Sequence, residues 1–407
     1  MRDFPRRFVP FVAFALVFAA CQSGGTPGPA TTTGQAVSTA TAAPAPKAAI
    51  KLGVLIDLSG RFISFGKDIR ESTALAAEEI NKAGGVNGSK IELLVIDSAG
   101  DPEKAVVGYR ELSDKGVFAV LGPISSGEAE VAYAQASRLE TPILTGTANK
   151  EGITEIGKGW AFRDTASNTD LYTVALPAWA KKYNVKTAVL VFDAQEPVSS
   201  AAAKTAIPAV AKTVGITIVN NDAPITFNRG QTDFTSVVQR IKGTPADGLI
   251  IMSGPAEAGL IARELARQGE ARPIVGHPAQ NSNTFYEQGG VQINKWVLPS
   301  IFDPDRNDPA VKSYVAEMKQ RDKEPPTVPE AANYYDIVKM VAKVLTEAKI
   351  DGGTDVKRAR ADLKKGLSAL KDYPGVGGKI TFTATGDADK TVFLFVVNGG
   401  KIEALGN

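Results

Sequence analysis

Cysteine and histidine are almost absent from this chain of 407 residues, which contains one of each. A structural zinc site needs several such ligands and a disulfide needs two cysteines, so neither can be assembled. A nucleophilic serine or cysteine would have only His277 as its base. The Gly-x-Ser-x-Gly elbow of hydrolases is missing, and no spaced-glycine dinucleotide fingerprint follows the first predicted strand. We therefore expect no metal, no cofactor and no enzymatic activity.

A marked excess of either charge is also lacking, because 46 Lys and Arg residues face 44 Asp and Glu residues. The small positive excess lies in residues 1–20, which contain Arg2, Arg6, Arg7 and Asp3. No cluster combines basic and aromatic residues in the way that nucleic-acid-binding surfaces do. We expect no nucleic-acid partner.

The N-terminal segment has the pattern of an export signal. Its arginines precede an apolar run from Phe8 to Ala20, which is short for a membrane span and typical of a secretory signal peptide. Two alanines stand directly before Cys21, and this resembles the cleavage box of bacterial lipoproteins, whose cysteine is lipidated. The alternative is an ordinary signal with a coincidental cysteine. We predict a signal peptide over residues 1–20, lipidation at Cys21, and a location in the periplasm or on the outer face of the cytoplasmic membrane.

Residues 22–46 contain no charged and no aromatic side chain. Such a segment cannot bury enough apolar surface to offset the entropy lost on ordering. We predict a disordered tether that, with Cys21, covers residues 21–49 and has an end-to-end distance of ~30 Å.

From Ile50 onward, predicted strands and helices alternate. Apolar runs of strand length, such as Ile50–Asp57 and Ile91–Asp97, are separated by amphipathic stretches such as Gly66–Ala83. The same alternation restarts after Arg163. Repeated strand–helix units predict parallel sheets covered by helices on both faces, so the fold class is α/β with two doubly wound lobes.

Two polar loops follow neighbouring predicted strands. Gly122–Gly127 leads into a helix and places the hydroxyls of Ser125 and Ser126 beside free backbone N–H groups, and Thr145–Asn149 follows the next strand. Strand ends of a parallel sheet share one edge, so the loops together predict a carboxylate receptor, although a serine there can be only a helix cap. His277 also follows a strand and is interpreted either as a surface-loop residue or as part of a ligand cleft.

Several segments resemble, in order and spacing, the branched-chain amino-acid (Leu/Ile/Val) type of solute-binding protein of ABC transporters. The resemblance extends from Ile50 to about Gly400, and the segments that carry it are Lys51–Gly60, Ile80–Gly88, Asp97–Pro102, Leu121–Ser126 and Thr141–Leu144. It implies a type I periplasmic binding fold, in which two lobes joined by three hinge crossovers close on a ligand.

The resemblance also implies lobe boundaries. The crossovers are expected near Thr165, Pro299 and Val376. The N-terminal lobe then consists of residues 50–165 and 299–376, and the C-terminal lobe of residues 166–298 and 377–407.

The family's binding residues can be carried over onto matching positions. The resemblance implies that Ser126, Thr147 and Asn149 hold the ligand's carboxylate and that Phe65 packs on the ligand. Ser125 and Ala148 adjoin these positions and are included in the predicted site.

Two departures concern the second lobe. A tyrosine usual in the family is replaced within Asp193–Pro197, and the acidic residue that accepts the ligand's ammonium is missing from Gly276–Gln280. A buried ammonium without a carboxylate partner is costly. Either Glu196 supplies the negative charge, or the ligand is a carboxylate or amide bound by His277 and Gln280.

The sequence therefore predicts a monomeric, lipid-anchored solute-binding protein. It would capture a small polar molecule, an amino acid or a related carboxylate or amide, between its lobes and deliver it to an ABC transporter permease. One alternative is a ligand-sensing lobe of a signalling system. A second is an amidase-like enzyme, against which the missing nucleophile–base pair argues.

Overall fold

A computed structural model describes residues 47–322 and 328–405 of the chain. The predicted signal peptide, Cys21 and residues 22–46 of the predicted tether lie outside the described residues. Lys47, which the sequence assigned to the tether, is held on the folded body. Its Nζ donates to Asp351 Oδ2 at 2.9 Å and to Asn87 O at 2.9 Å. Lys47 therefore belongs to the folded body, three residues before the predicted start at Ile50.

Helices and strands alternate along most of the described chain, as the sequence predicts. The strands are β1 Ile50–Ile56, β2 Ile91–Asp97, β3 Ala119–Leu121, β4 Ile143–Thr145, β5 Ala161–Arg163, β6 Thr187–Asp193, β7 Thr217–Ile218, β8 Ile225–Phe227, β9 Gly248–Met252, β10 Ile274–Gly276, β11 Trp296–Ser300, β12 Tyr373–Gly375, β13 Gly378–Phe382, β14 Ala388–Asp389, β15 Phe393–Asn398 and β16 Lys401–Ala404. The α-helices are α1 Ile63–Lys82, α2 Pro102–Asp114, α3 Ser126–Tyr133, α4 Ala136–Leu139, α5 Asn168–Tyr183, α6 Pro197–Ala201, α7 Ile207–Thr213, α8 Thr235–Lys242, α9 Pro255–Arg267, α10 Asn283–Gly289, α11 Pro309–Asp322, α12 Ala331–Glu347 and α13 Val356–Ser368. A π-helical segment, Ala202–Ala206, joins α6 to α7.

The first sheet has the strand order β2-β1-β3-β4-β5, and all its strands are parallel. Strand β1, which lies between β2 and β3, is apolar on both faces because helices cover both sides. Val54 packs on one side with Ile69 of α1 and Val338 of α12. Leu55 points to the other side and packs with Tyr109 of α2. The lobe is thus doubly wound, as expected.

The second sheet has the order β16-β15-β11-β10-β9-β6-β7, with β8 paired to β6. Strands β6 to β11 are parallel to one another, whereas β15 pairs with β11 in antiparallel orientation and β16 forms the antiparallel edge. The sequence did not predict β16, whose residues are exposed and lack the apolar run of a buried strand. Helices again pack on both faces, with α5 and α7 on one side and α8, α9 and α10 on the other.

The chain passes between the two lobes three times, which confirms the expected architecture. The first passage follows β5, because Phe162 belongs to the core of the first lobe and Ala166 to that of the second. The second passage falls between Ile301, in the second core, and Phe302, which packs against α1 and α11. These positions lie close to the expected crossovers at Thr165 and Pro299.

The third passage differs from the prediction. Strands β12, β13 and β14 form a small antiparallel sheet, and Ile380, Phe382 and Ala388 are buried in the core of the first lobe. The chain returns to the second lobe only between Asp389 and Leu394. The boundary at Val376 is therefore wrong, because alternating apolar residues identify a strand without saying which core receives it.

Within the described ranges, none of the helices has the length and apolar content needed to cross a bilayer.

Candidate ligand-binding site

A cavity of about 380 Å³ lies between the two lobes, and we call it the interlobe cavity. It is located where β1, β3 and β4 of the first sheet and β6, β9 and β10 of the second sheet end, the edge at which open α/β sheets bind ligands. The first lobe contributes Phe65, Ser126 and Thr147 among others. The second contributes residues such as Glu196 and His277.

The loop after β1 places two aromatic rings at the cavity. Asp57 organises this loop, because its carboxylate accepts the backbone N–H groups of Gly60 at 2.5 Å and Phe62 at 2.8 Å. Phe65 lines the cavity, and its ring lies 5.9 Å from that of Phe62 in an edge-on arrangement. The guanidinium of Arg61 covers the Phe62 ring at 4.6 Å. The loop therefore presents an apolar wall edged by one cation.

The loop after β3 is built around a glycine and a capping serine. Gly122 has a φ of +119°, and a Cβ there would lie 1.9 Å from Leu55 O, so only glycine fits. Ser125 is the N-cap of α3 and forms a capping box with Glu128. The Ser125 hydroxyl donates to Glu128 Oε2 at 2.6 Å and accepts the Glu128 N–H at 3.3 Å. Ser125 lines the cavity, but its hydroxyl is occupied by the helix cap.

The loop after β4 turns around the hydroxyl of Thr145. This hydroxyl donates to Pro123 O at 2.8 Å and accepts the N–H groups of Thr147 and Ala148 at 3.2 and 3.1 Å. Thr147 Oγ1 donates to Ile124 O at 2.5 Å. The backbone N–H of Ala148 is thus directed into the loop, and the Thr147 hydroxyl donates its one proton to the loop after β3.

Three side chains that the resemblance assigned to a carboxylate lie together on the cavity wall: Ser126, Thr147 and Asn149. Ser126 Oγ accepts the backbone N–H of Lys150 at 3.3 Å, which leaves its proton available. The Ser126 N–H is in the first turn of α3 and has no partner within the helix. The hydroxyl of Tyr334 lies 3.2 Å from Thr147 Oγ1 and supports this wall from behind. The Ser126 hydroxyl and N–H, together with the side-chain amide of Asn149, can donate hydrogen bonds to the negative end of a ligand.

The second lobe presents an ionic cluster. Asp193 Oδ1 accepts the N–H groups of Gln195 at 2.8 Å and Glu196 at 3.1 Å. Glu196 caps α6, since its Oε2 accepts the Ser199 N–H at 2.5 Å. Arg229 lies 3.9 Å from Asp193 Oδ2 and 3.6 Å from Glu196 Oε1. Burial raises the pKa of Asp193. Glu196 therefore lines the cavity, but one of its carboxylate oxygens caps α6 and the other faces Arg229.

His277 lines the interlobe cavity and is only 6% exposed, so the surface-loop interpretation is wrong. Its Nδ1 accepts the Ala279 N–H at 3.2 Å, which places the proton of the neutral ring on Nε2. Burial lowers the pKa of His277 to about 4, with Glu196 acting in the opposite direction. Among the described residues Nε2 has no hydrogen-bond partner. His277 is thus a neutral donor at the cavity wall.

Gln280 does not have the role that the sequence suggested. The side chain is fully buried and does not line the cavity. Its Nε2 donates to Ile251 O at 3.0 Å and to Ser253 Oγ at 3.1 Å, and its Oε1 accepts the Trp296 Nε1 proton at 2.9 Å. Gln280 joins the end of β9 to the Trp296 side chain of β11 inside the core, so it has no polar atom left for a ligand.

The sequence missed several further polar residues at the cavity, among them Ser199, Arg229, Glu257 and Glu330. Arg229 follows the short strand β8, so a polar residue after a predicted strand was the available signal. Glu257 is in the first turn of α9, and Glu330 directly precedes α12. Carboxylates at helix starts are ordinarily interpreted as favourable to the helix dipole, which concealed their position at the cavity.

In the described part of the chain, no group of three or more histidine, cysteine or carboxylate side chains is arranged to hold a metal ion. Two α/β lobes joined by three crossovers, with a cavity lined by polar and apolar residues of both lobes, define a two-lobed ligand-binding protein. A family model described as "Periplasmic binding protein" matches residues 49–401, and the chain belongs to this family. Membership places the folded chain outside the cytoplasm.

The chain is similar to several binding proteins over most of its length. It is 27% identical to Leu/Ile/Val-binding protein homolog 3 of Brucella melitensis, over 88% of this chain and 93% of that protein. It is 26% identical to Leu/Ile/Val-binding protein BraC3 of Rhizobium johnstonii, over 92% and 98% of the two chains. The crystal structure of the branched-chain amino acid transporter substrate binding protein LivJ from Streptococcus pneumoniae, in complex with isoleucine, superposes with a TM-score of 0.77 at 27% identity. That match covers 88% of this chain and 98% of the other. These relatives are binding proteins rather than enzymes.

Proposed function

We propose that this protein captures a small amino acid in the interlobe cavity and delivers it to an ABC transporter permease. The observation that carries the proposal is the convergence of Ser126, Thr147 and Asn149 with Glu196 and His277 on one cavity whose walls come from both lobes. A ligand that contacts both walls stabilises the closed arrangement over the open one.

An amino acid is supported over an amide by two features. Gln280, the amide-recognising candidate, is occupied within the core. The cavity also holds carboxylates from both lobes, which match an ammonium better than a neutral amide. The names and the bound isoleucine of the relatives point to the same ligand class.

A thermal-shift screen against the twenty protein amino acids and a matched set of amides and aromatic acids tests the ligand class. A ligand at a hundredfold excess over its dissociation constant stabilises the protein by about 2.7 kcal/mol, which is a clear shift in melting temperature. A shift by amides alone would contradict the proposal.

Mass spectrometry of the bound ligand after prolonged incubation tests binding without turnover, and any new product would indicate an enzyme.

The same proposal includes an anchor at Cys21, supported by its position directly after the predicted signal peptide. C21S is expected to move the mature chain from the membrane fraction to the soluble fraction of the envelope, and to abolish labelling by an alkyne fatty acid. An unchanged distribution would argue for an ordinary secreted protein.

Loss of radiolabelled amino-acid uptake in a strain lacking the chain would support transport over sensing.

A further inference from the structure

Glu330 is a carboxylate of the interlobe cavity with one oxygen that has no hydrogen-bond partner among the described residues. It directly precedes α12, lines the cavity and is 7% exposed. Among the described residues, its Oε2 is buried without a hydrogen-bond partner. An unpaired carboxylate in such a place costs free energy, so a partner is expected to come from outside the chain.

The helix brings this carboxylate close to the predicted carboxylate receptor. Glu330 has helical backbone angles and stands four residues before Tyr334, so the two side chains lie on the same face of α12, one turn apart. The Tyr334 hydroxyl lies 3.2 Å from Thr147 Oγ1. Glu330 and the predicted carboxylate receptor line the same cavity, so a ligand bound at the receptor can extend toward Glu330.

We propose that Glu330 accepts a cationic nitrogen of the ligand, so that the ligand class is restricted to carboxylates that also carry an ammonium group. This inference rests on the proposed function, and it assigns the ammonium to the first lobe rather than to Glu196. Glu196 already caps α6 and faces Arg229, whereas Glu330 Oε2 is unengaged.

The charges around the cavity favour the same ligand. Four carboxylates and two arginines line it, together with the neutral His277: Asp193, Glu196, Glu257, Glu330, Arg61 and Arg229. Arg229 is paired with Asp193 and Glu196. A carboxylate without an ammonium would add a negative charge to a cavity that already has an excess of carboxylates, and this is unfavourable at low dielectric.

The protonation state of Glu330 gives a second way to test its contact with the ligand. Burial raises its pKa to about 7, so in the empty protein a fraction of this carboxyl is protonated at neutral pH. The charged groups that line the same cavity are those named above, and Asp68 of α1 contacts the segment before Glu330, because its carboxylate accepts the Val328 N–H at 3.0 Å. A cation requires the ionised form, so binding releases a proton and the affinity rises as the pH rises through about 7.

Isothermal titration with each amino acid and its deamino acid tests the inference, with L-leucine and 4-methylpentanoate as the first pair. We expect the amino acid to bind and the deamino acid to bind at least ~10-fold more weakly. E330Q is expected to weaken the amino acid about 10- to 100-fold, the range for losing a hydrogen bond to a charged group. Titrations of the wild type in phosphate and in Tris at pH 7 should show proton release that E330Q lacks.

The controls separate this inference from the proposed function. E347Q, at the exposed far end of α12, should leave affinity and proton release unchanged. Amino-acid binding that E330Q does not weaken, or equally tight binding of the deamino acid, overturns the role of Glu330 and leaves the binding function intact. If no acid of either set binds the wild type, both proposals fail. E330Q should melt no lower than the wild type, since it removes a buried ionisable group.

Discussion

Lys390 Nζ donates to Asp164 Oδ1 at 2.8 Å, and both side chains are fully buried. Asp164 lies in the first crossover between the lobes and Lys390 in the third. The same ammonium donates to Asn333 Oδ1 of α12 at 2.9 Å. This ion pair therefore ties two of the three connections to one another and to the first lobe.

Removing the charge of Lys390 should destabilise the fold. K390M leaves the Asp164 carboxylate buried without its cation, and breaking a buried pair in this way costs about 3–5 kcal/mol. Urea unfolding at pH 7 measures this difference.

Two further variants of that experiment identify the cause. D164N/K390M removes the whole pair and should cost less than K390M alone. K343M removes a lysine from an exposed pair with Glu347 and should cost no more than ~0.5 kcal/mol. A loss for K390M as small as that for K343M would show that the buried pair does not hold the crossovers.

Ser125 and Ser126 are adjacent but should respond differently to alanine. S126A should weaken amino-acid binding by about 1–3 kcal/mol because a hydrogen bond to the ligand's carboxylate is lost, with little effect on stability. S125A removes the cap of α3 and should lower stability by about 1 kcal/mol. Titration calorimetry and urea unfolding of both variants test this division. Equal affinities for S126A and the wild type would show that the Ser126 hydroxyl does not bind the ligand and that Ser126 is only the first residue of α3.

His277 should make the protein less stable in mild acid. Its pKa is lowered to about 4 in the folded state from an ordinary value of 6.5, so below pH 6.5 the unfolded chain binds the proton more tightly. The stability contribution is complete above pH 6.5 and falls as the pH drops toward 4, by about 2 kcal/mol at pH 5.

The difference between the wild type and H277Q isolates this contribution. Burial raises the pKa of Glu330 and of Asp336 to about 7, and these groups change stability in the opposite direction. Both are present in the two proteins and cancel in the comparison. Urea unfolding of each protein at pH 5 and pH 8 gives the four values required. If the stability difference between the wild type and H277Q is the same at pH 5 and pH 8, His277 has the same pKa in the folded and unfolded chain and is protonated inside the fold at pH 5.

Gln280 should matter for stability and not for ligand contact. Q280A leaves the Trp296 indole N–H and the carbonyl of Ile251 without their partner, which we expect to cost about 2–4 kcal/mol. Because the side chain does not reach the interlobe cavity, the dissociation constant of the folded variant should change little. A large loss of affinity with unchanged stability would contradict this prediction and show that Gln280 takes part in ligand binding.

Much of the fold could be predicted because its signals are local. An apolar run such as β1 and the amphipathic face of α1 are visible within a few residues, and their alternation implies parallel sheets. The third crossover could not be placed in this way. Ile380 and Phe382 have the pattern of a strand, but only the packing of Phe382 against Phe162, with ring centroids 5.3 Å apart, decides which lobe contains it.

The candidate site likewise contains residues that local sequence could predict and residues that it could not. The two loops that contain Ser126, Thr147 and Asn149 could be grouped from sequence because each follows a strand whose carboxyl end lies at the same sheet edge, and the family resemblance singled out these three residues. Glu330 could not, because nothing local distinguishes a carboxylate that favours a helix start from one turned toward a cavity. Gln280 was misplaced for a related reason, since its partners come from strands that are distant along the chain.

The sequence by itself determined that this protein has one cysteine, directly after a predicted export signal, and a body of alternating strands and helices with polar loops at the strand ends. Only the tertiary structure decided which polar groups are buried and whether they have partners. Lys390 and Asp164 are 226 residues apart, and each is charged in a segment that the sequence presents as an ordinary loop. The free energy of a charge depends on the solvent and partners around it, and these are properties of neighbours in space and not of neighbours in sequence.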